Sequence, residues 1–297
     1  MTIYNKLYNI TFITPKNLVI MRKFLLTLAA VLTLAACNKD IPTISTTAVS
    51  IHFSPYQVAP MKSTSSVSTV CSRLDIYIIE QGTTDTLRIH QERTATTDFG
   101  NATVTLQTNK TYNLIAVAHN STDTCTFNGG IVSFSGDILK QTLVSDTTFS
   151  PGDGLSLNVV MQRIVGMFKM RVTDSIPTDV TGFQFTISPS GRKFNLATMQ
   201  STDPAIRTHT INSTSTDNNG VAVYNVYVMA DDMTNVKYVD IEAKALNPTN
   251  DGEVRQFTQV PIKNGYVTTY SGTFFITFGM DFTFVVDDWN DYGSFTY

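Results

Sequence analysis

Cysteine, histidine and clustered acids are the groups in this chain that could carry chemistry, and they are few. The 297 residues include three Cys and four His. Cys37 follows Leu34-Ala35-Ala36, at the end of an apolar run that begins at Phe24 behind Met21-Arg22-Lys23. A basic start, a short apolar run and small residues before a Cys form the pattern of an export signal. Here the Cys resembles the lipidated residue of a bacterial lipoprotein, with cleavage between Ala36 and Cys37. The run is too short to span a bilayer as a helix. A triacylated Cys37 would carry the two or more chains that stable anchoring requires. Cys71 and Cys125 remain. In an exported chain they are either a disulfide or two separate buried thiols, and a bridge needs their Cα atoms within about 7 Å.

The four His, at positions 52, 90, 119 and 209, are far apart in sequence and none has a Cys or His at metal-ligand spacing. His119 closes an apolar segment beside Asn120-Ser121 and reads as a structural or exposed imidazole. No HExxH, no G-x-S-x-G and no glycine-rich phosphate loop occurs. Asp287-Asp288-Trp289-Asn290-Asp291 is the densest acidic group, but its spacing departs from a calcium loop. It reads as a solvated turn, with Trp289, the only Trp, packed at a domain edge. No catalytic residue, cofactor or metal is expected.

The elements that would position these residues are strands. Val49, Ile51 and Phe53 alternate with polar residues, and Pro55 ends the run. Leu74–Ile79, Ala102–Leu106 and Tyr112–His119 follow, the last apolar on both faces and so central in a sheet. Ile131–Phe134, Thr142–Phe149 and the alternating Leu155, Leu157, Val159 and Met161 complete a first series. A second series runs through Met167–Val172, Phe183–Ile187, Val221–Val228, Tyr238–Ala245, Tyr266–Ile276 and Phe282–Val286. No helical period persists over three turns. The predicted fold class is all-β, as tandem sandwiches.

Residues 1–20 fit no signal architecture and read as a start assigned too early. Residues 21–36 form the signal and 37–46 a Pro/Thr/Ser tether. Residues 47–163 and 164–297 form two sandwich domains of ordinary size. Charged residues make up 15% of the chain against about 25% in a typical domain. With 42% hydrophobic residues, that balance excludes disorder. Removing residues 1–36, which hold four basic and no acidic residues, leaves 261 residues with a net charge of −7. Such a body is no nucleic-acid binder, which would carry a basic face.

Three segments resemble one family together. Lys110-Thr111-Tyr112-Asn113-Leu114-Ile115-Ala116-Val117-Ala118-His119 resembles the "G-x-Y-x-L-x-A-x-A-H" strand of fimbrillin-like proteins, with Lys110 in place of Gly. Leu157 to Met170 is similar to their interdomain "L-x-R-x-V-A-M-F" segment, with Arg163 matching the Arg and Gly166 replacing Ala. Phe282 to Trp289 resembles their closing strand. The family is that of the Bacteroidetes type V pilus subunits, and the branch is that of anchor and minor subunits.

The resemblance implies two transthyretin-like β-sandwiches and no catalysis. It implies a lipid anchor in the outer membrane, with the protein at the cell surface, and fimbrial stalk subunits as partners through strand addition. A host or bacterial surface ligand would be met through the assembled pilus. In stalk subunits of the family an Arg-specific protease is thought to remove the first strand. Here no Arg lies between Cys37 and Arg73, which abuts the second strand. The first strand is therefore expected to stay. Phe274, Phe275, Phe282, Phe284 and Trp289 would then offer a partner strand, unless those rings fill their own core. Asp85-Thr86-Leu87, Asp146-Thr147-Thr148 and Asp174-Ser175-Ile176 resemble the group's O-glycosylation signal. The competing function is a surface glycan-binding lipoprotein, for which Tyr56, Tyr77, Tyr227 and Tyr270 would be the platforms; an enzyme is the third.

Overall fold

The computed structural model describes residues 45–56, 66–122, 125–134, 136, 139–247 and 252–275, and the backbone of 283–288. The signal, Cys37, the tether up to residue 44, Phe282 and Trp289 lie outside the described residues, and the expected tether end at residue 46 falls inside β1 (Thr46–Pro55). Residues from Thr46 onward form one compact unit. It is all-β: apart from one 3₁₀ turn at Val67–Thr69, every described element is a strand.

The first sandwich has two layers. One is β1 (Thr46–Pro55), between β4 (Asn101–Gln107), antiparallel to it, and β9 (Ser156–Arg163), parallel to it. The other runs β3 (Thr86–Glu92), β2 (Arg73–Glu80), β5 (Tyr112–His119), β8 (Thr142–Phe149), all antiparallel. The layers join at one corner, where Leu143 and Val144 of β8 pair with Arg163 and Gln162 of β9. Period-2 alternation sends Val49, Ile51 and Phe53 inward against Leu74, Ile76, Leu114 and Ala116. β5 is buried on both faces, because Ile115 and Val117 point into a separate cluster.

The second sandwich repeats this plan. β10 (Gly166–Val172) lies between antiparallel β16 (Ala222–Val228) and parallel β19 (Tyr266–Gly272). The facing layer runs β14 (Ala205–Ile211), β11 (Gly182–Ser190), β17 (Lys237–Leu246), β18 (Val254–Ile262). Aromatic rings fill this core: Phe168 lies 5.3 Å from Phe257 and 5.6 Å from Tyr270, and Phe183 lies 4.5 Å from Tyr224. Short β15 (Ser215–Thr216) and β20 (Thr283–Asp288) extend the β10 layer at its two edges.

A small third sheet takes strands from both halves. β6 (Cys125–Asn128) and β7 (Ile131–Phe134) form a hairpin, and β12 (Lys193–Asn195) and β13 (Gln200–Thr202) add to it through β7–β12 pairing. Gly129 and Gly130 both have positive φ, +56° and +80°. Two such residues between paired Asn128 and Ile131 make the tight turn whose twist suits a hairpin. Under this sheet, Tyr77, Ile115, Val117 and Val144 pack against Ile164, Phe194, Leu196 and Met229.

Most of the predicted strands match within two residues. The predicted segment Tyr266–Ile276 stops as a strand at Gly272. Strands β3, β6, β12 to β15 and β18 carry weak patterns that alternation alone does not reveal. In β3 only Gln91 is fully buried, so an apolar period is absent from an edge strand with one wet face.

Candidate functional site

β1 is an interior strand with partners on both sides. Val49, Ile51 and Phe53 are at most 2% exposed. Its backbone is tied to both flanks, with Phe53 N–H donating to Gly100 O at 2.9 Å and Tyr56 N–H to Met161 O at 2.7 Å. The core groove that an incoming strand would need is therefore filled by the chain itself. Arg73 is engaged within β2: one guanidinium nitrogen donates to Thr122 O at 2.9 Å and the other pairs with Glu92 at 3.3 Å.

The C-terminal aromatics divide. Phe274 is fully buried, 4.9 Å from Phe183 and 5.3 Å beneath the Arg255 guanidinium. Its ring sits in its own core, the second of the two roles that the sequence leaves open for it. Phe275 is half-buried against the same cluster. The backbone NH groups of Phe274 and Phe275 donate to the two carboxylate oxygens of Asp174 at 2.8 and 2.7 Å. Phe284 lies in β20, opposite Tyr270, and β20 pairs only with β19, so its other backbone edge has no strand beside it among the described residues.

Cys71 and Cys125 are free thiols. The bridge considered from sequence is not formed, and the fold gives the reason. Cys71 packs in the first sandwich core with Leu74 and Leu114, whereas Cys125 packs outside with Tyr77 and Val117. The β2–β5 sheet stands between them. Burial pushes both thiols up to about 12.

The sheet brings together residues that sequence spacing separates. Asp75 (β2), His90 (β3) and His119 (β5) sit on adjacent strands, and Cys125 covers them from β6. His90 Nδ1 hydrogen-bonds Asp75 Oδ1 at 2.7 Å, and His119 Nε2 lies 3.3 Å from Asp75 Oδ2. Donor atoms of Asp75, His119 and Cys125 all lie within 4.8 Å of one another. The Asp75 carboxyl is partly buried, which raises its proton affinity, but hydrogen bonds from His119 and His90 outweigh this and hold it below the usual range. His119 is 1% exposed, not a surface imidazole. Spacings of 15, 29 and 6 residues in sequence conceal this set; only strand register reveals it.

A cavity of ≈ 400 Å³ opens where β1 and β9 end beside the β18–β19 turn. Tyr56, Gln162, Lys263, Asn264 and Tyr266 are among its lining residues. Tyr56 is 52% exposed, and Lys263 Nζ stands 4.4 Å over the Tyr266 ring. Asn264 is built in, accepting from Ala230 N–H at 3.1 Å and donating to Asp232 O at 2.9 Å. Arg163, which matches the Arg of the resembling fimbrillin segment, is 6% exposed at this cavity, and burial lowers its guanidinium to about 10. Of the four tyrosines offered as glycan platforms, only Tyr56 is exposed; Tyr77 is buried and Tyr227 and Tyr270 pack on cores.

No family model and no curated protein matches the chain. Solved structures do. A proposed adhesin of Bacteroides thetaiotaomicron aligns with a TM-score of 0.55 at 11% identity, over 84% of this chain and 98% of that one. A proposed polysaccharide-binding protein of the same organism aligns with a TM-score of 0.53 at 10% identity, over 82% and 96%. The fimbrial anchor protein Mfa2 of Porphyromonas gingivalis aligns at 0.43 and 8% identity, over 82% and 98%, a likeness too weak to carry an argument. The chain thus has the all-β fold of these Bacteroides adhesin-type proteins.

Proposed function

We propose that this chain is a lipid-anchored fimbrial subunit of the cell surface that anchors or ends a pilus in the outer membrane. In this reading residues 47–163 and 164–297 act as two modules. The observation that supports it best is the seat of β1. A subunit that accepts a donor strand must expose a groove, and here that groove is filled by Val49, Ile51 and Phe53. With no Arg between β1 and Arg73, an Arg-specific protease has no place to release the strand. The unpaired edge of β20 is the segment offered for strand addition to a stalk subunit, because backbone NH and C=O groups on an open edge can pair with another chain.

N-terminal sequencing of the surface form tests the retained strand: the mature chain should begin at a lipidated Cys37. A start at residue 74 or later overturns the proposal. Removing residues 281–297 tests β20; the truncated chain should stay folded but no longer co-purify with a stalk subunit.

One observation favours a second reading, a surface glycan-binding lipoprotein. The cavity pairs an exposed Tyr56 ring with amide and ammonium donors from Gln162 and Lys263, a combination that can hold a sugar face and its hydroxyls. Retention on a polysaccharide column that Tyr56→Ala abolishes would favour it.

A further inference from the structure

We infer that Asp75, His119 and Cys125 form a zinc site that pins the β6–β7 hairpin to the first sandwich. Three kinds of donor converge: a carboxylate oxygen, an imidazole nitrogen and a thiol sulfur, all within 4.8 Å of one another. That mixed set suits Zn²⁺, which binds S, N and O ligands tetrahedrally and accepts water in a fourth position. The spacing agrees. Two ligand atoms each about 2.0–2.1 Å from a tetrahedral zinc lie about 3.3 Å apart. His119 Nε2 and Asp75 Oδ2 are separated by 3.3 Å, longer than a good charge-assisted hydrogen bond.

The seat of the imidazole fits this set: His119 is 1% exposed, with Nε2 turned to Asp75 Oδ2 rather than to water. The ring itself is held edge-on by Phe134 at 5.1 Å, and Phe134 pairs directly with Cys125 across the hairpin. His90 then acts as a positioning residue. Its 2.7 Å hydrogen bond to Asp75 Oδ1 turns Oδ2 toward His119, as outer partners of metal-bound carboxylates do. The metal has a way in, since the side chains of Asp75 and His90 are 17% and 53% exposed. As the zinc–sulfur bond forms, the Cys125 thiol gives up its proton to water, so binding releases acid.

The test adds Zn²⁺, then Co²⁺, to the reduced full-length chain. One equivalent should bind, release a proton and raise the melting temperature. Cobalt should show a near-ultraviolet sulfur-to-metal charge-transfer band. Cys125→Ser should remove that band and the thermal shift, while Cys71→Ser, on the other face of the sheet, should keep both. His90→Gln should weaken zinc binding by about tenfold. Should Cys125→Ser not fold, the near-isosteric Asp75→Asn serves instead, and it should abolish the one-equivalent binding. Absence of saturable binding overturns the site, as does a charge-transfer band that survives Cys125→Ser. A thermal shift unchanged by Asp75→Asn overturns it as well.

Discussion

The two sandwiches share one strand plan and differ at one edge. In each, the first strand lies between an antiparallel and a parallel neighbour: β1 between β4 and β9, β10 between β16 and β19. The facing layers correspond strand by strand, β3-β2-β5-β8 to β14-β11-β17-β18. The first sandwich closes on itself where β8 meets β9. In the second, β18 and β19 form no ladder, and β19 receives β20 instead. The shared topology therefore gives one module whose two layers are joined by a ladder at that corner, and one in which β20 takes the place beside β19 and, among the described residues, has no strand on its outer side.

The cores differ too. The first is filled by aliphatic side chains around Phe53, Phe99 and Phe149, the second by a connected set of Phe and Tyr rings. The small third sheet, with Phe194 beneath it, joins their outer faces. The largest predicted effect tests that joint. Phe194→Ala should cost about 3–5 kcal/mol. It should shift unfolding monitored in both sandwiches, whereas Phe53→Ala, of similar size, should act first on the first. Calorimetry showing that Phe194→Ala moves only one transition would break the comparison.

Gly166→Ala is next. A Cβ there would meet Lys263 O at 2.5 Å, so backbone must move, at a cost of up to about 3 kcal/mol. The change restores the Ala of the resembling fimbrillin segment, yet denaturant unfolding should show a loss.

Acid should act through His209 in β14. Burial, with Lys140 nearby, lowers its imidazole to about 4. The unfolded chain binds that proton near 6.5, so stability is full above about pH 6.5 and falls as pH drops toward 4, by about 3 kcal/mol. His209→Gln should flatten that part of the pH profile. In the corresponding strand β3, the exposed His90 pairs with Asp75 instead. The smallest effects belong to rim ion pairs. Arg73–Glu92 and Lys193–Asp203 are solvent-exposed, and Glu92→Gln or Asp203→Asn should each cost less than about 0.5 kcal/mol.

Strand β5 shows how much was legible. Tyr112–His119 has alternating sets apolar enough for two cores, and the structure buries both. β1 was readable for the same reason. Edge strands such as β3 and β14 were not, since one wet face lets polar side chains interrupt the period. Phe274 stayed ambiguous because an aromatic at the end of an apolar segment looks alike whether it fills its own core or a neighbour's.

By itself the sequence determined the class: period-2 patterning, sparse charge and turn residues leave a chain of this kind no way to bury its apolar faces except as layered sheets. It also determined that no Arg separates β1 from β2. Tertiary structure alone decided what meets across sheets. Register set Asp75 between His90 and His119, the hairpin laid Cys125 over them, and the β2–β5 sheet kept Cys71 apart from Cys125. Such contacts depend on which strands pair and which face each residue takes, and strands distant in sequence carry no local signal of that choice.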